Sequence, residues 1–570
     1  MNRKTICRPF VLGFLAFGPV LGAIAFHSKT AAQSKPSHTT YYTHGRIYTN
    51  DPEHPWAEAL AVTDGMISCI GKMDHVLLDC GGSQEGAETV NLHGQFVMPG
   101  FNDAHVHLGG AAAEALAVPL TGVPSAEEMQ KRVAEAVAHR KEGEWITGGG
   151  WDHTLWAEKK FPNRQQLDAV APKNPVILTH VSGHVAVANS LALKKAEIGK
   201  TTPNPPGGEI EHDALGEPTG MLKEAAAMDL VKVRIPDPSQ AERRRGIELV
   251  LKNVTQNGVT SVQDNSAWED FQVYQQLKEE GKLTVRITEW LPFNAPLDDL
   301  QNRRAQGGTT DPWLKTGALK AVTDGALGSR TAALLEPYND DPSTTGILTY
   351  DPEKLQAMAI ERDKAGFQLA FHAIGDRANR IALDVFEAVA KASRPRDRRD
   401  RIEHAQVVAP MDFQRFAQLH VIASMQPSHQ TTDMRWAEDR IGKERIKGAY
   451  AWATMLKNGV RLAFGTDYSV EPISPFRGLY ACVTRERPNG GPKGGWEAQE
   501  KISLDDCIHA YTSGSAYAEF EEGKKGELKQ GEYADFIILS NDLTKVPPSE
   551  YTKTRVLRTV MGGRTVYQSQ

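Results

Sequence analysis

Two histidines at i and i+2, His105 and His107 in FNDAHVH, stand where an apolar run reaches its end. On a strand that spacing points both imidazoles to one face, where they can bind a single cation. A His-x-His pair alone is weak grounds, because surface or core polarity explains most such pairs. The placement then recurs: Lys320 follows GAL, His372 follows FQLAF, His404 follows DRIE and Asp467 follows RLAFGT. Four histidines and a carboxylate at the ends of buried strands favour Zn²⁺ or a similar divalent ion. Such an ion lowers the pKa of water toward ~7 and makes hydroxide accessible at neutral pH. Asp467 can take the proton and hand it to a leaving nitrogen, or it can serve as a ligand only.

These side chains need a scaffold that brings strand ends together. Apolar runs alternate with amphipathic segments such as MQKRVAEAVAHRK, AERRRGIELVLKNVTQNG and PEKLQAMAIERDKAG, as in βα units around a parallel sheet. Eight strand candidates, FVMPGFNDAHVH, GVTSVQDN, LTVRITEWL, GALKAVTDG, FQLAFHAIGD, DRIEHAQ, VIASMQPSH and RLAFGTDYS, fit a TIM barrel over 98–525. The stretch from about 109 to 238 is too long for one βα connection and reads as an inserted α/β subdomain. Short β-rich stretches separated by turn residues fill 39–97 and 526–570. The two ends are expected to pair into one small β-sandwich.

The chain has 570 residues, 40% hydrophobic and 24% charged, with a formal net charge of −6. That composition describes a globular enzyme rather than a fibrous or disordered chain, and offers no basic face to nucleic acid. The expected partner is a small molecule. Arg3, Lys4 and Arg8 precede the apolar run FVLGFLAFGPVLGAIAF, with small residues following, so 1–32 reads as a signal peptide cleaved near Ala25 or Ala32. An uncleaved anchor is the alternative, although Pro19 interrupts a run near the short end of a membrane span. Export to a periplasmic or secreted location, with no membrane contact after cleavage, is the expectation. Cys69 and Cys80 can pair in an oxidising compartment, but the cysteines are too scattered for a disulfide scaffold.

Through VMPGFNDAHVHL, GGGWDHTLW, SGHVAVAN, LKAVTDGALGSRTAAL, FHAIGDRANR, RIEHAQ, GTDYSVEP and GELKQGEYADFIIL the chain resembles the amidohydrolase superfamily. The branch is amidohydrolase family 3, with N-substituted formamide deformylase and exoenzyme-regulatory-protein-like hydrolases. The resemblance implies a distorted TIM barrel, a sandwich joined from both termini and one or two divalent metals. It makes His105, His107 and Asp467 ligands of the more buried ion and His372 and His404 ligands of the second. Lys320 would bridge them, which requires N6-carboxylation, since an ammonium has no lone pair. Pairing of Lys320 with Asp324 is the alternative.

Asp103, Asp324, Asp376 and Glu403 adjoin these positions and are expected to orient ligand imidazoles, with helix caps or salt bridges as the competing role. Trp151, Asp152, His153, His184 and Arg330 lie in motif-like loops and are candidate substrate contacts; a packed turn and a core histidine would explain the same residues. His429 is left undecided by its spacing. The function so implied is metal-dependent hydrolysis of a non-peptide C–N bond, amide or formamide-like, by metal-activated hydroxide. A metal-dependent isomerase or lyase on the same barrel and an inactive secreted binding protein are the alternatives, and a homodimer is what the family suggests.

Overall fold

The computed structural model describes residues 38–80 and 87–570. The expected signal peptide at 1–32 lies outside the described residues. Eight parallel strands form the central sheet: β1 (Phe101–Val106), β2 (Val259–Asp264), β3 (Arg286–Pro292), β4 (Leu314–Val322), β5 (Leu369–Ala373), β6 (Arg401–His404), β7 (Ile422–Met425) and β8 (Leu462–Phe464). All eight coincide with the apolar runs expected to be strands. Neighbours follow chain order from β1 to β8. The ring is closed beyond β8, where the Asp467 N–H donates to the His105 carbonyl at 2.8 Å. A Cβ at Gly465 would fall 2.6 Å from the His105 nitrogen, so that close approach requires glycine.

The strands are short apolar runs because both faces are covered, by interior side chains on one side and helices on the other. The helix Gln240–Gln256 buries Ile247, Val250, Leu251 and Val254, and a capping box at Ser239 and Glu242 fixes its start. The helix Leu108–Ala115 falls within the span expected for the insertion, yet Leu108, Ala111 and Ala112 belong to the barrel core. The inserted sheet itself spans Val118 to Lys223 in six strands. Alternation there sorts side chains onto two faces: Val176, Leu178 and Val187 enter one apolar cluster, Ile177, Ala186 and Ala188 the other. Each face packs its own helices, giving the insertion a core separate from the barrel's.

The termini meet in two sheets. Phe96–Pro99 pairs antiparallel with Phe536–Leu539, joining strands from opposite ends of the chain. Tyr42, Leu60, Val97, Phe536 and Ile538 fill the space between the four-stranded and six-stranded sheets. Disulfides join Cys69 to Cys80 and Cys482 to Cys507, the second linking the helices Pro475–Thr484 and Leu504–Ala510.

One buried carboxyl makes barrel stability depend on pH. Asp400, just before β6, accepts the Leu369 N–H at 3.0 Å, and burial pushes its pKa up from 3.8 to about 7. A raised folded pKa means that the native chain holds the extra proton between those values, so stability falls as pH rises through that window. Asp400→Asn keeps an acceptor for Leu369 and removes the titration. Its urea midpoint should therefore change less between about pH 5 and about pH 8 than that of the wild type. An unchanged pH slope would assign the proton uptake to other groups.

Candidate metal centre

The ends of β1, β4, β5, β6 and the segment after β8 open into a cavity of about 400 Å³, lined by His105, His107, Lys320, His372, His404 and Asp467. All six expected ligands are thus brought together at the carboxyl rim of the barrel, the face where such folds build active sites. His429 joins them, its Nε2 3.6 Å from Asp467 Oδ2.

The imidazoles are oriented individually. His105 donates from Nδ1 to Glu403 at 2.7 Å, His107 to the Asn265 carbonyl at 3.1 Å and His404 to Gln426 Oε1 at 2.8 Å. Each donation leaves Nε2 with its lone pair. His372 is held the other way round, with Nε2 3.3 Å from the Gly325 carbonyl and 3.3 Å from Asp324 Oδ1, which frees Nδ1. Fixing one ring nitrogen by hydrogen bonding so that the other can ligate is the usual support of a metal-bound histidine. Burial, then the nearby Lys320, lowers His105 to about 4, and burial with His372 holds His404 well below its ordinary value. Neutral rings with free lone pairs are what a cation requires.

Asp467 supplies the charge. Its Oδ1 lies 3.0 Å from His107 Nε2 and 3.6 Å from His105 Nε2 and has no hydrogen-bond partner. Burial opposes ionisation, but His105, His107, His404 and His429 outweigh it and keep the carboxyl well below the usual range. Both Asp467 and His404 sit in the left-handed region, at φ 57° and 74°, a costly backbone for such residues and one concentrated at functional sites. The donor set, imidazoles tethered through one nitrogen around an unpartnered carboxylate oxygen, fits a divalent cation. His105, His107 and Asp467, and likewise His404, His429 and Asp467, bring ligand atoms within 4.8 Å of one another.

Lys320 Nζ lies 3.2 Å from His105 Nε2, and burial lowers its pKa to about 8. The anticipated alternative of a pair with Asp324 is not formed among the described residues. Asp324 instead accepts the backbone N–H groups of Ala333, Ile374 and Gly375 at 2.8–3.0 Å. The four adjoining carboxylates divide in their roles. Glu403 and Asp324 reach the imidazoles of His105 and His372. Asp103 acts on the backbone, accepting from His105 N at 3.2 Å and from Thr466 N and Oγ1 at 2.9 and 2.6 Å, so it places Asp467 through its neighbour. Asp376 touches no imidazole. It lies in the first turn of the helix Asp376–Ala392, where a carboxylate suits the helix dipole, and accepts the Leu335 N–H of the preceding loop at 2.8 Å.

The expected substrate contacts do not line this cavity. Trp151 is fully buried in the insertion core, with its indole donating to the Leu178 carbonyl at 2.9 Å. Asp152 bonds Thr154, exposed His184 pairs with Glu224 at 3.0 Å, and Arg330 pairs with Asp340. Motif-like composition marked these loops, yet the composition of a loop does not say which cavity it faces. The walls are formed instead by Val322, Leu327, Ile374, Trp436 and Val470, with Gln406, Asp433 and Glu471 between them. Gln426 and Arg401 were also missed. Strand-end position marks the first, and a two-residue spacing from Glu403 on β6 marks the second.

Comparison with known proteins decides the family. The amidohydrolase family model matches residues 88–567. The chain belongs to the amidohydrolase family. Protein LONG AFTER FAR-RED 3 of Arabidopsis thaliana is 38% identical over 92% of this chain and 91% of its own length. N-substituted formamide deformylase of Arthrobacter pascens is 29% identical over 92% of this chain and 97% of its own. A crystal structure of an uncharacterized metal-dependent hydrolase from Pyrococcus furiosus matches with a TM-score of 0.73 and 30% identity, covering 90% of this chain and 100% of that one. This amidohydrolase is accordingly a metal-dependent hydrolase with a distorted TIM barrel, and the clustered histidines and carboxylate form a group that could hold a divalent cation.

Proposed function

We propose that this amidohydrolase cleaves a non-peptide carbon–nitrogen bond, an amide or formamide-like one, in a small partly apolar substrate. The observation that carries the reading is the ring of singly tethered imidazoles around the unpartnered Oδ1 of Asp467. His105, His107 and Asp467 would hold one ion and His372 and His404 a second. A bound Zn²⁺ or similar cation polarises a carbonyl and lowers the pKa of water toward ~7. Asp467, ionised and aimed into the cavity, accepts a proton from water there and returns it to the departing nitrogen. Trp436, Leu327, Ile374 and Val470 receive the apolar part of the substrate, while Asp433 and Glu471 accept hydrogen bonds from the amine. A relative named for formamide deformylation points to the same bond class.

The lowered pKa of Lys320 supports its conversion to a carbamate. A buried amine that releases its proton near neutral pH adds to CO₂ and becomes an anionic oxygen ligand able to bridge two ions. Export is supported by the basic and apolar N-terminal pattern together with two disulfides, bonds that persist in oxidising compartments.

Elemental analysis of the mature protein, wild type against His105→Ala and Lys320→Ala, alongside formate release from N-substituted formamides, tests this. Chelation should abolish turnover, and re-addition of zinc should restore it. About two ions per chain in the wild type, with metal and activity lost in both variants, is expected for the bridged site. One ion with an active Lys320→Ala would reduce the site to a mononuclear one. No stoichiometric metal, or product without solvent oxygen in ¹⁸O-labelled water, would overturn hydrolysis by this route.

A further inference from the structure

The residues that follow β7 stand between two ligand positions, because β7 lies between β6, which ends in His404, and β8, which leads to Asp467. We propose that His429, in the helix Pro427–Asp433 after β7, is a further metal ligand that joins His404 and a carboxylate oxygen of Asp467 on the second ion. The assignment rests on the two-ion reading of the centre and adds a third imidazole to His372 and His404. One short segment then serves the ion twice. Gln426 Oε1 fixes the His404 ring at 2.8 Å, and the His429 N–H donates to the Gln426 carbonyl at 3.1 Å in the turn that opens the helix.

One ligand atom each from His404, His429 and Asp467 lies within 4.8 Å of the other two. The His429 side chain is 13% exposed, and its Nε2 is buried without a hydrogen-bond partner. A buried polar atom left open in a native fold calls for a missing partner. The distance from that Nε2 to Asp467 Oδ2, 3.6 Å, tells which partner. A protonated imidazole paired directly with a carboxylate closes to about 2.7–2.9 Å, the length of a charge-assisted hydrogen bond. Two ligands of one tetrahedral zinc, each about 2.1 Å from the ion, stand about 3.4 Å apart. The observed separation is too long for the first arrangement and matches the second. His105 Nε2 keeps the same 3.6 Å from Asp467 Oδ1, so the two oxygens of one carboxylate face an imidazole of each ion.

The ligand atoms are open. No acceptor takes a proton from His429 Nε2 and no donor occupies it, so the tautomer that carries its lone pair on Nε2 is available to the ring. The donation from His404 Nδ1 to Gln426 leaves the His404 Nε2 lone pair in the same state. Three imidazoles select zinc, nickel or copper over magnesium or calcium, which prefer all-oxygen sites. His372, His404, His429 and Asp467 all line the one cavity, so an ion held among them faces the substrate. β7 would otherwise be the strand between β6 and β8 that brings no ligand to the rim.

The test uses the full mature chain, stripped by chelation and supplied with zinc alone. Zinc-soaked crystals of the wild type should show an anomalous peak about 2.1 Å from His429 Nε2. Two peaks at the other histidines with none in bonding distance of His429 overturn the assignment and leave the two-ion reading standing. A single peak that touches His429 keeps the ligand and ends the two-ion reading; a single peak at His105 and His107 overturns both. The second measurement is zinc titration of wild type and His429→Gln against a competing chelator, with folding checked by circular dichroism. The variant should bind its second zinc more than about 100-fold more weakly, beyond the loss that follows from removing only the support of a ligand, with the first unchanged. Equal affinity for the second zinc in a folded His429→Gln overturns the proposal.

Discussion

Asp467→Asn should lower kcat by about 10²–10⁴-fold, the usual worth of a positioned proton carrier, while leaving the fold in place. The fold survives because Asn tolerates a left-handed backbone almost as readily as Asp, and residue 467 sits at φ 57°. Its backbone N–H still donates to the His105 carbonyl, so the closure between β8 and β1 is kept. What is removed is the anionic oxygen that stands 3.0 Å from His107 Nε2 without a partner. An amide cannot take a proton from water at neutral pH and is the weaker ligand for a hard-to-borderline cation. The measurement is kcat and KM on an N-substituted formamide, with zinc content determined on the same sample and Tm recorded. A variant that keeps its zinc and more than about a tenth of wild-type kcat would mean that another group moves the proton. His429, 3.6 Å from Asp467 Oδ2, would then be the nearest substitute.

The barrel was legible because its strands are buried on both faces and so read as apolar runs with polar residues at one end. His105, His372, His404 and Asp467 could be placed on one rim from that pattern alone. The insertion was legible as an interruption, but the limits of its sheet were not. Leu108–Ala115 carries a helical pattern that does not reveal which core it serves, and packing against the Gln240–Gln256 helix assigned it to the barrel. Side-chain partners across long sequence separations were the least readable. Glu403 and His105 are 298 positions apart, and only closure of the ring brings them to 2.7 Å. Trp151 and Asp152 show the opposite failure, since a distinctive local string marked them while the sheet turned them away from the barrel cavity.

Arg401→Met should cost about 3–5 kcal/mol of stability, because it leaves Glu403 as a buried charge without its partner. Arg401 and Glu403 are both fully buried on β6, with Nε 2.5 Å from Oε1. The same guanidinium donates to the Ala104 carbonyl at 2.9 Å and Ser424 Oγ at 2.7 Å, tying β1, β6 and β7 together inside the barrel. Burial alone would raise the Glu403 pKa, but Arg401, then His105, hold it at about 2 against an ordinary 4.5. That depression is stabilisation present above 4.5 and lost as pH falls toward about 2, so the network is intact at neutral pH. Without Arg401 the Glu403 pKa rises and the carboxyl that orients His105 Nδ1 becomes a weaker acceptor. Metal affinity should fall about 10–100-fold along with stability, as it does when the support of a ligand is removed. Arg401→Met paired with Glu403→Gln separates the two effects. The double variant removes the stranded charge and should recover part of the stability, while the metal affinity stays low because the His105 tautomer is no longer enforced. Urea denaturation and zinc titration of the three variants read this directly. Equal stability of single and double variants would mean that the loss comes from the severed contacts to Ala104 and Ser424 rather than from the charge on Glu403.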